Sequence, residues 1–246
     1  MSNYKNKEKD KTKSHIMKFG WTVIMIEATE YLPSFAYSIG LWETFQHPEI
    51  ICFGLEIGTL HSTINDVGNI VKSGSTIEIG RQYDDFFVNI STQFVPVNNS
   101  YLLNYFGYAI DYYGNIGFPA IQLVWSDRNH KLPWEADFDE HFTDKQPLLD
   151  RNVDFKFHEK RNLVVFTTRQ WLKKNKPILK VVHDYNGDWQ FLTGDQILSD
   201  ACLIALEELT KRDVTLNEVF NLNYGEEAER NFIGDIWRRS VCEEGD

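Results

Sequence analysis

The chain has 246 residues, 42% hydrophobic and 25% charged, a globular composition on a length above one typical domain of roughly 100–200 residues. No run of about 18 apolar residues occurs, which excludes a membrane-spanning helix. The net charge of −11 is uneven: residues 1–18 carry six lysines and two acids, residues 19–150 five basic and 17 acidic residues, and residues 151–246 14 basic and 17 acidic residues. An acidic surface argues against direct nucleic-acid binding, where lysine and arginine must displace counterions. It favours a basic partner, because opposite fields steer association, or serves only to keep the chain in solution.

Residues 1–18 are polar and lysine-rich, without the apolar core of a secretory signal, and are expected to form a disordered tail. GWTVIMIE at 20–27 reads as a strand and SFAYSIGLW at 34–42 as a second. After His47-Pro48-Glu49, IICFGL is a third short buried run. Residues 58–72 place Leu60, Ile64, Val67 and Val71 at helical spacing, with Gly74 as the stop. Residues 85–97 read as one long strand interrupted by Pro96, residues 99–113 as an aromatic helix closed by Gly114, and residues 118–125 as a strand. SDRNHKLPW then predicts a turn and a short return strand.

From Glu135 to Asp154 the periodicity dissolves, which marks a boundary. Beyond it, NLVVFTT predicts a strand, Thr168 a cap for a helix over 169–175, and ILKVVHD and DWQFLTG the two arms of a hairpin turning at Asn186-Gly187. Residues 199–211 read as an amphipathic helix opened by Ser199, Thr215 to Glu218 as a capping box, and residues 226–239 as a helix with Ala228, Phe232 and Trp237 on one side. The expected class is α+β. There are two modules, 19–145 and 155–246, each a mainly antiparallel sheet with packed helices.

The run Gly20 to Trp134 resembles a bacterial family known only as domain of unknown function 4262. The residues that carry it are GW at 20–21, FAYSIGLWETF at 35–45, HPE at 47–49, FGL at 53–55, QLVWSD at 122–127 and LPWE at 132–135. The C-terminal part resembles the immunity protein 33 family through VFTTRQW at 165–171, KPILKVVHDYNGDWQFLTG at 176–194 and GEEAERNFIGDIW at 225–237. That resemblance implies binding and blocking of a cognate toxin.

Four groups of residues stand out as candidate ligand or partner contacts. Tyr37, Gly40, Trp42 and Glu43 form an aromatic cluster around a glycine, read as a pocket or as core with a bulge. His47 and Glu49 share a side if extended, which suits acid–base work or metal binding; a turn with a structural carboxylate is the alternative. Gln122, Trp125, Asp127 and Trp134 line one face, or Trp125 and Trp134 pack across a hairpin. His183, Asp184, Asp188 and Trp189 flank the Asn-Gly turn, with no Ser or Cys nucleophile in a recognisable setting.

Cys52, Cys202 and Cys242 form no CxxC pair, so neither a disulfide framework nor a cysteine zinc site is expected, which suits a reducing cytoplasm. No catalytic constellation, metal site or cofactor is read from the residues. The expected function is a non-enzymatic immunity-type protein that occludes a basic toxin. The alternative is a small-molecule or flavin-binding enzyme centred on Tyr37–Glu49.

Overall fold

The computed structural model describes residues 2–29 and 32–242. The chain divides into two compact units, Met1–Thr29 with Pro33–Val153 and, after them, Asp154–Asp246. Each holds one six-stranded, mostly antiparallel sheet with helices, an α+β architecture in two modules. No helix among the described residues is long and apolar enough to cross a membrane.

The first sheet runs β1 (Thr22–Ile26), β2 (Phe35–Ile39), β3 (Glu49–Phe53), β6 (Ala120–Trp125), β5 (Ile90–Pro96), β4 (Gln82–Phe87). Only β3 and β6 pair in parallel. Helix α3 (Ile57–Lys72) packs Leu60, Ile64, Val67 and Val71 into a core with Ala36, Ile50, Cys52, Phe94, Leu123 and Trp125. Each such fully buried aliphatic side chain contributes about 1.5–3 kcal/mol. Short helices α4 (Leu102–Tyr105) and α5 (Gly107–Tyr113) join Phe35, Tyr37 and Phe53 in an aromatic layer, where Tyr105 meets both Phe35 and Phe53 edge to face.

Several expectations are corrected in this unit. The lysine-rich segment expected to be disordered is helical as α1 (Ser2–Phe19); it lacks Gly and Pro until its end, and Ile16 is buried. The strand read through GLW ends at Ile39, and Leu41–Phe45 form helix α2. The long strand at 85–97 is a hairpin, because Asn89 adopts a left-handed φ of 58° between β4 and β5. Asparagine tolerates that conformation, so the turn needs no glycine. The helix at 99–113 is broken at Phe106, though it does close at Gly114 (φ 71°). No return strand follows β6; the chain instead turns at Asp127 and forms a 3-10 segment at Glu140–Lys145. The first unit also extends past 145, since residues up to Val153 pack with it.

The second sheet runs β10 (Ala201–Ala205), β7 (Val164–Thr168), β9 (Trp189–Leu192), β8 (Lys180–His183), β11 (Glu226–Glu229), β12 (Arg238–Val241). Thr168 caps helix α6 (Arg169–Lys174) by accepting from the Trp171 N–H at 3.2 Å. The Asn-Gly hairpin joins β8 to β9 as expected, with Gly187 alone of the pair at positive φ (85°).

Three helix assignments fail here. Residues 201–205 are strand β10, and only Leu206–Arg212 are helical, as α7. The segment ACLIALEEL fits a helical period, but its first half is claimed by pairing with β7, more than 30 residues earlier. Asp213, not Thr215, caps the next 3-10 turn, accepting from the Thr215 N–H at 3.1 Å. Residues 226–229 and 238–241 form a hairpin rather than a helix.

Candidate functional site

Glu49 is the centre of the unusual residues in the first unit. It is the first residue of β3 and fully buried. Its Oε2 accepts from Ser38 Oγ at 2.5 Å. Its Oε1 accepts from the Gly40 N–H at 2.9 Å, the Trp42 N–H at 3.1 Å and the Tyr113 hydroxyl at 2.5 Å. Ser38 Oγ in turn accepts from the Ile50 N–H at 2.8 Å. One carboxylate thus ties β2, α2 and α5 to β3. Burial pushes its pKa above the usual carboxylate range, and the bonds from Ser38, Tyr113, Trp42 and Gly40 pull it part of the way back. Burial and then Glu49 itself push the Tyr113 hydroxyl pKa up.

Gly40 makes this geometry possible. Its φ is 108°, and a Cβ there would lie 2.9 Å from the Gly20 carbonyl oxygen and 3.0 Å from Ile16. A side chain at 40 would displace α1 from the hub.

Tyr37 lies in the core rather than in a pocket. It packs on Phe106 at 5.0 Å and its hydroxyl accepts from the Tyr108 N–H at 3.2 Å. Trp42 is half-buried, and exposed Glu43 accepts from the Tyr112 hydroxyl. His47 is buried, with Nδ1 2.8 Å from the Pro48 carbonyl oxygen, while Glu49 is satisfied elsewhere. Among the described residues no group of three or more His, Cys, Asp or Glu could hold a metal ion.

The third group splits. Trp125 joins the α3-side core, meets Phe142 edge to face at 5.7 Å and donates Nε1–H to the Phe53 carbonyl at 2.8 Å. Trp134 packs with Val95, Val124 and Leu132 under the Arg151 guanidinium at 4.8 Å. Val124 and Trp125 are adjacent on a strand and point to opposite faces, so the expected Trp125–Trp134 pair does not form. Gln122 clamps the returning chain, donating to the Pro147 carbonyl at 2.8 Å and accepting from the Leu149 N–H at 2.9 Å. Gln146 does the same to both backbone groups of Trp125. Burial opposes the Asp127 charge, but the N–H groups of Lys131, Asp139 and Asn129 outweigh it and hold its pKa low. Asp127 therefore organises the loop.

In the second unit His183 and Trp189 are buried and stack at 4.0 Å, with His183 Nδ1 2.8 Å from the Leu222 carbonyl oxygen. Asp184 accepts from the N–H groups of Asn186 and Asp188, closing the hairpin; Asp188 itself is exposed. His183 and Asp184 are thus a core residue and a turn residue. Sequence reading missed Ser38, Tyr113 and Gln146, which lie 11 to 64 residues from their partners and carry no local signal. It also missed Arg230, whose guanidinium is buried against Asp213.

Burial lowers the pKa of His47 and His183 and takes His158 down to about 4. These side chains fold neutral and charge more readily when unfolded. Their stabilisation is complete above the unfolded value near 6.5 and is lost as pH falls through each lowered folded value, which for His158 is about 4. The urea midpoint of the second unit, which holds His158 and His183, is expected to drop between pH 7 and pH 5, above the carboxylate range. Equal midpoints by circular dichroism at the two pH values would refute this.

The first unit is therefore an α+β module closed around a buried carboxylate. The family described as Domain of unknown function (DUF4262) matches residues 15–139, which include Glu49 and all four of its donors, and the chain belongs to that family. No curated protein and no solved structure matches the chain.

Proposed function

We propose that the protein is a non-enzymatic binding protein of immunity type that neutralises a cognate toxin by occlusion, its acidic first unit meeting a basic surface. The observation that carries this reading is the disposition of charge. Buried Glu49 and Asp127 are filled by internal donors. Glu78, Asp84, Asp85, Glu135, Asp137, Glu140 and Asp144 are exposed, within residues 19–150, where acids outnumber bases 17 to five; the 1–18 segment adds six lysines and two acids to the same unit. The resemblance to the immunity protein 33 family adds to it. Its residues fall on β7 and α6, on the β8–β9 hairpin, and on β11 with the loop that follows.

Co-expression with each product of the adjacent genes tests the reading. One neighbour is expected to arrest growth and the chain to restore it. If no neighbour is toxic, or the chain never restores growth, the reading fails. A yellow purified protein, or a cofactor that raises its melting temperature, would instead favour a small-molecule enzyme at Tyr37–Glu49.

A further inference from the structure

One edge of the second sheet is unguarded. β10 is an end strand, reads Ala201-Cys202-Leu203-Ile204-Ala205, and keeps unbroken register against β7. Edge strands are ordinarily protected by charge, proline or a bulge. The opposite edge, β12, carries exposed Arg238 and Arg239; β10 has no such guard.

The hydrogen-bonding pattern of this edge can be worked out. The Leu206 N–H donates to the Leu163 carbonyl at 2.8 Å, which makes that pair a hydrogen-bonded one. In an antiparallel ladder such pairs alternate, so Ile204 and Cys202 also turn their backbone groups toward β7. The N–H and C=O groups of Ala201, Leu203 and Ala205 therefore point outward. On the same face as Leu203 lie its partner Phe166 and, beside it, Val164; the three are 63%, 40% and 61% exposed.

We propose that β10 pairs antiparallel with β10 of a second copy of this chain, about a two-fold axis through Leu203, joining the two sheets into one. The edge is its own complement: Ala201, Leu203 and Ala205 meet Ala205, Leu203 and Ala201, and every outward N–H and C=O finds a partner. Charge also selects this contact. In a chain of net charge −11, two copies repel over most of their surface, whereas β10 brings five uncharged residues against five. Pairing places Leu203, Phe166 and Val164 of both copies on one continuous apolar face. The contact is small, so the dimer is weak and forms only as concentration rises.

Sedimentation of the full chain across a concentration series tests this. The mass is expected to rise from 28.8 kDa toward twice that value. Leu203→Lys sets two like charges face to face and is expected to keep the chain monomeric with an unchanged circular dichroism spectrum; Val241→Lys on the far edge leaves the dimer intact. If Leu203→Lys misfolds, Leu203→Cys with Cys202→Ser decides. A hydrogen-bonded pair holds its Cα atoms about 5.5 Å apart, within disulfide reach, so mild oxidation should cross-link it. A monomer at every concentration, a dimer that survives Leu203→Lys, or no cross-link at 203 overturns the proposal.

Discussion

Glu49→Ala is expected to cost the first unit about 3–5 kcal/mol, the sum of buried neutral donors left unsatisfied and a cavity opened in the core. Four donors lose Glu49 as acceptor at once; the Gly40 N–H keeps its 3.1 Å bond to the Tyr113 hydroxyl oxygen, whereas the Trp42 N–H and two hydroxyls lose theirs. Each buried polar group left unsatisfied costs about 1–3 kcal/mol. The truncation also opens a cavity where β2, α2 and α5 converge. In a chain of this size about 1 kcal/mol moves the melting temperature by roughly 2–4 °C, so a fall of roughly 6 °C or more is expected. Glu49→Gln keeps one acceptor oxygen on the Gly40 and Trp42 side and should lose about 1–2 kcal/mol. A catalytic carboxylate would behave differently, since removing it spares stability. Should Glu49→Ala melt within a degree of wild type, the hub is not what holds α2 and α5 to the sheet.

Arg230→Ala should destabilise the second unit by a comparable amount. The Arg230 side chain is fully buried, donates from Nε to the Ile178 carbonyl at 3.0 Å and from Nη1 to Thr215 Oγ1 at 2.6 Å, and pairs through Nη2 with Asp213. The Trp237 ring covers it at 4.3 Å. Removal strands the Asp213 carboxylate, and breaking a buried pair from one side costs about 3–5 kcal/mol. Replacing both partners, as Arg230→Met with Asp213→Asn, removes the stranded charge, leaves a side-chain oxygen to cap the Thr215 N–H, and should recover part of that loss. A double variant less stable than Arg230→Ala alone would contradict the assignment. Urea unfolding by circular dichroism reads both.

What the sequence revealed divides by distance along the chain. Local chemistry was legible. The helical spacing of Leu60, Ile64, Val67 and Val71, the Thr168 cap, the Gly114 stop and the Asn186-Gly187 turn each act within a few residues, and each appears where expected. Where a segment satisfies two periods, its distant partner decided. Residues 201–205 and 226–229 became strands because β7 and β8 offered open ladders.

The candidate residues were picked out for their chemistry, but their roles were not legible. Glu49 stands beside His47 in sequence, yet its bonds go to Ser38, Gly40, Trp42 and Tyr113, the last 64 residues away. Trp125 and Trp134 look like a pair across a turn, yet strand alternation sends them into separate clusters. Gln122 and Asp127, picked out as candidate contacts, are bonded to the segments that follow β6.

With those polar groups engaged internally, the proposed occlusion assigns recognition to the exposed acids. Affinity capture from the native host at low and high salt tests this most directly, with wild type beside a variant carrying Glu135→Gln, Asp137→Asn, Glu140→Gln and Asp144→Asn. Occlusion through the acidic first unit predicts that wild type retains a basic polypeptide, that salt releases it by screening exposed charges, and that the neutralised variant retains less. A partner held equally by both proteins and indifferent to salt would contradict it.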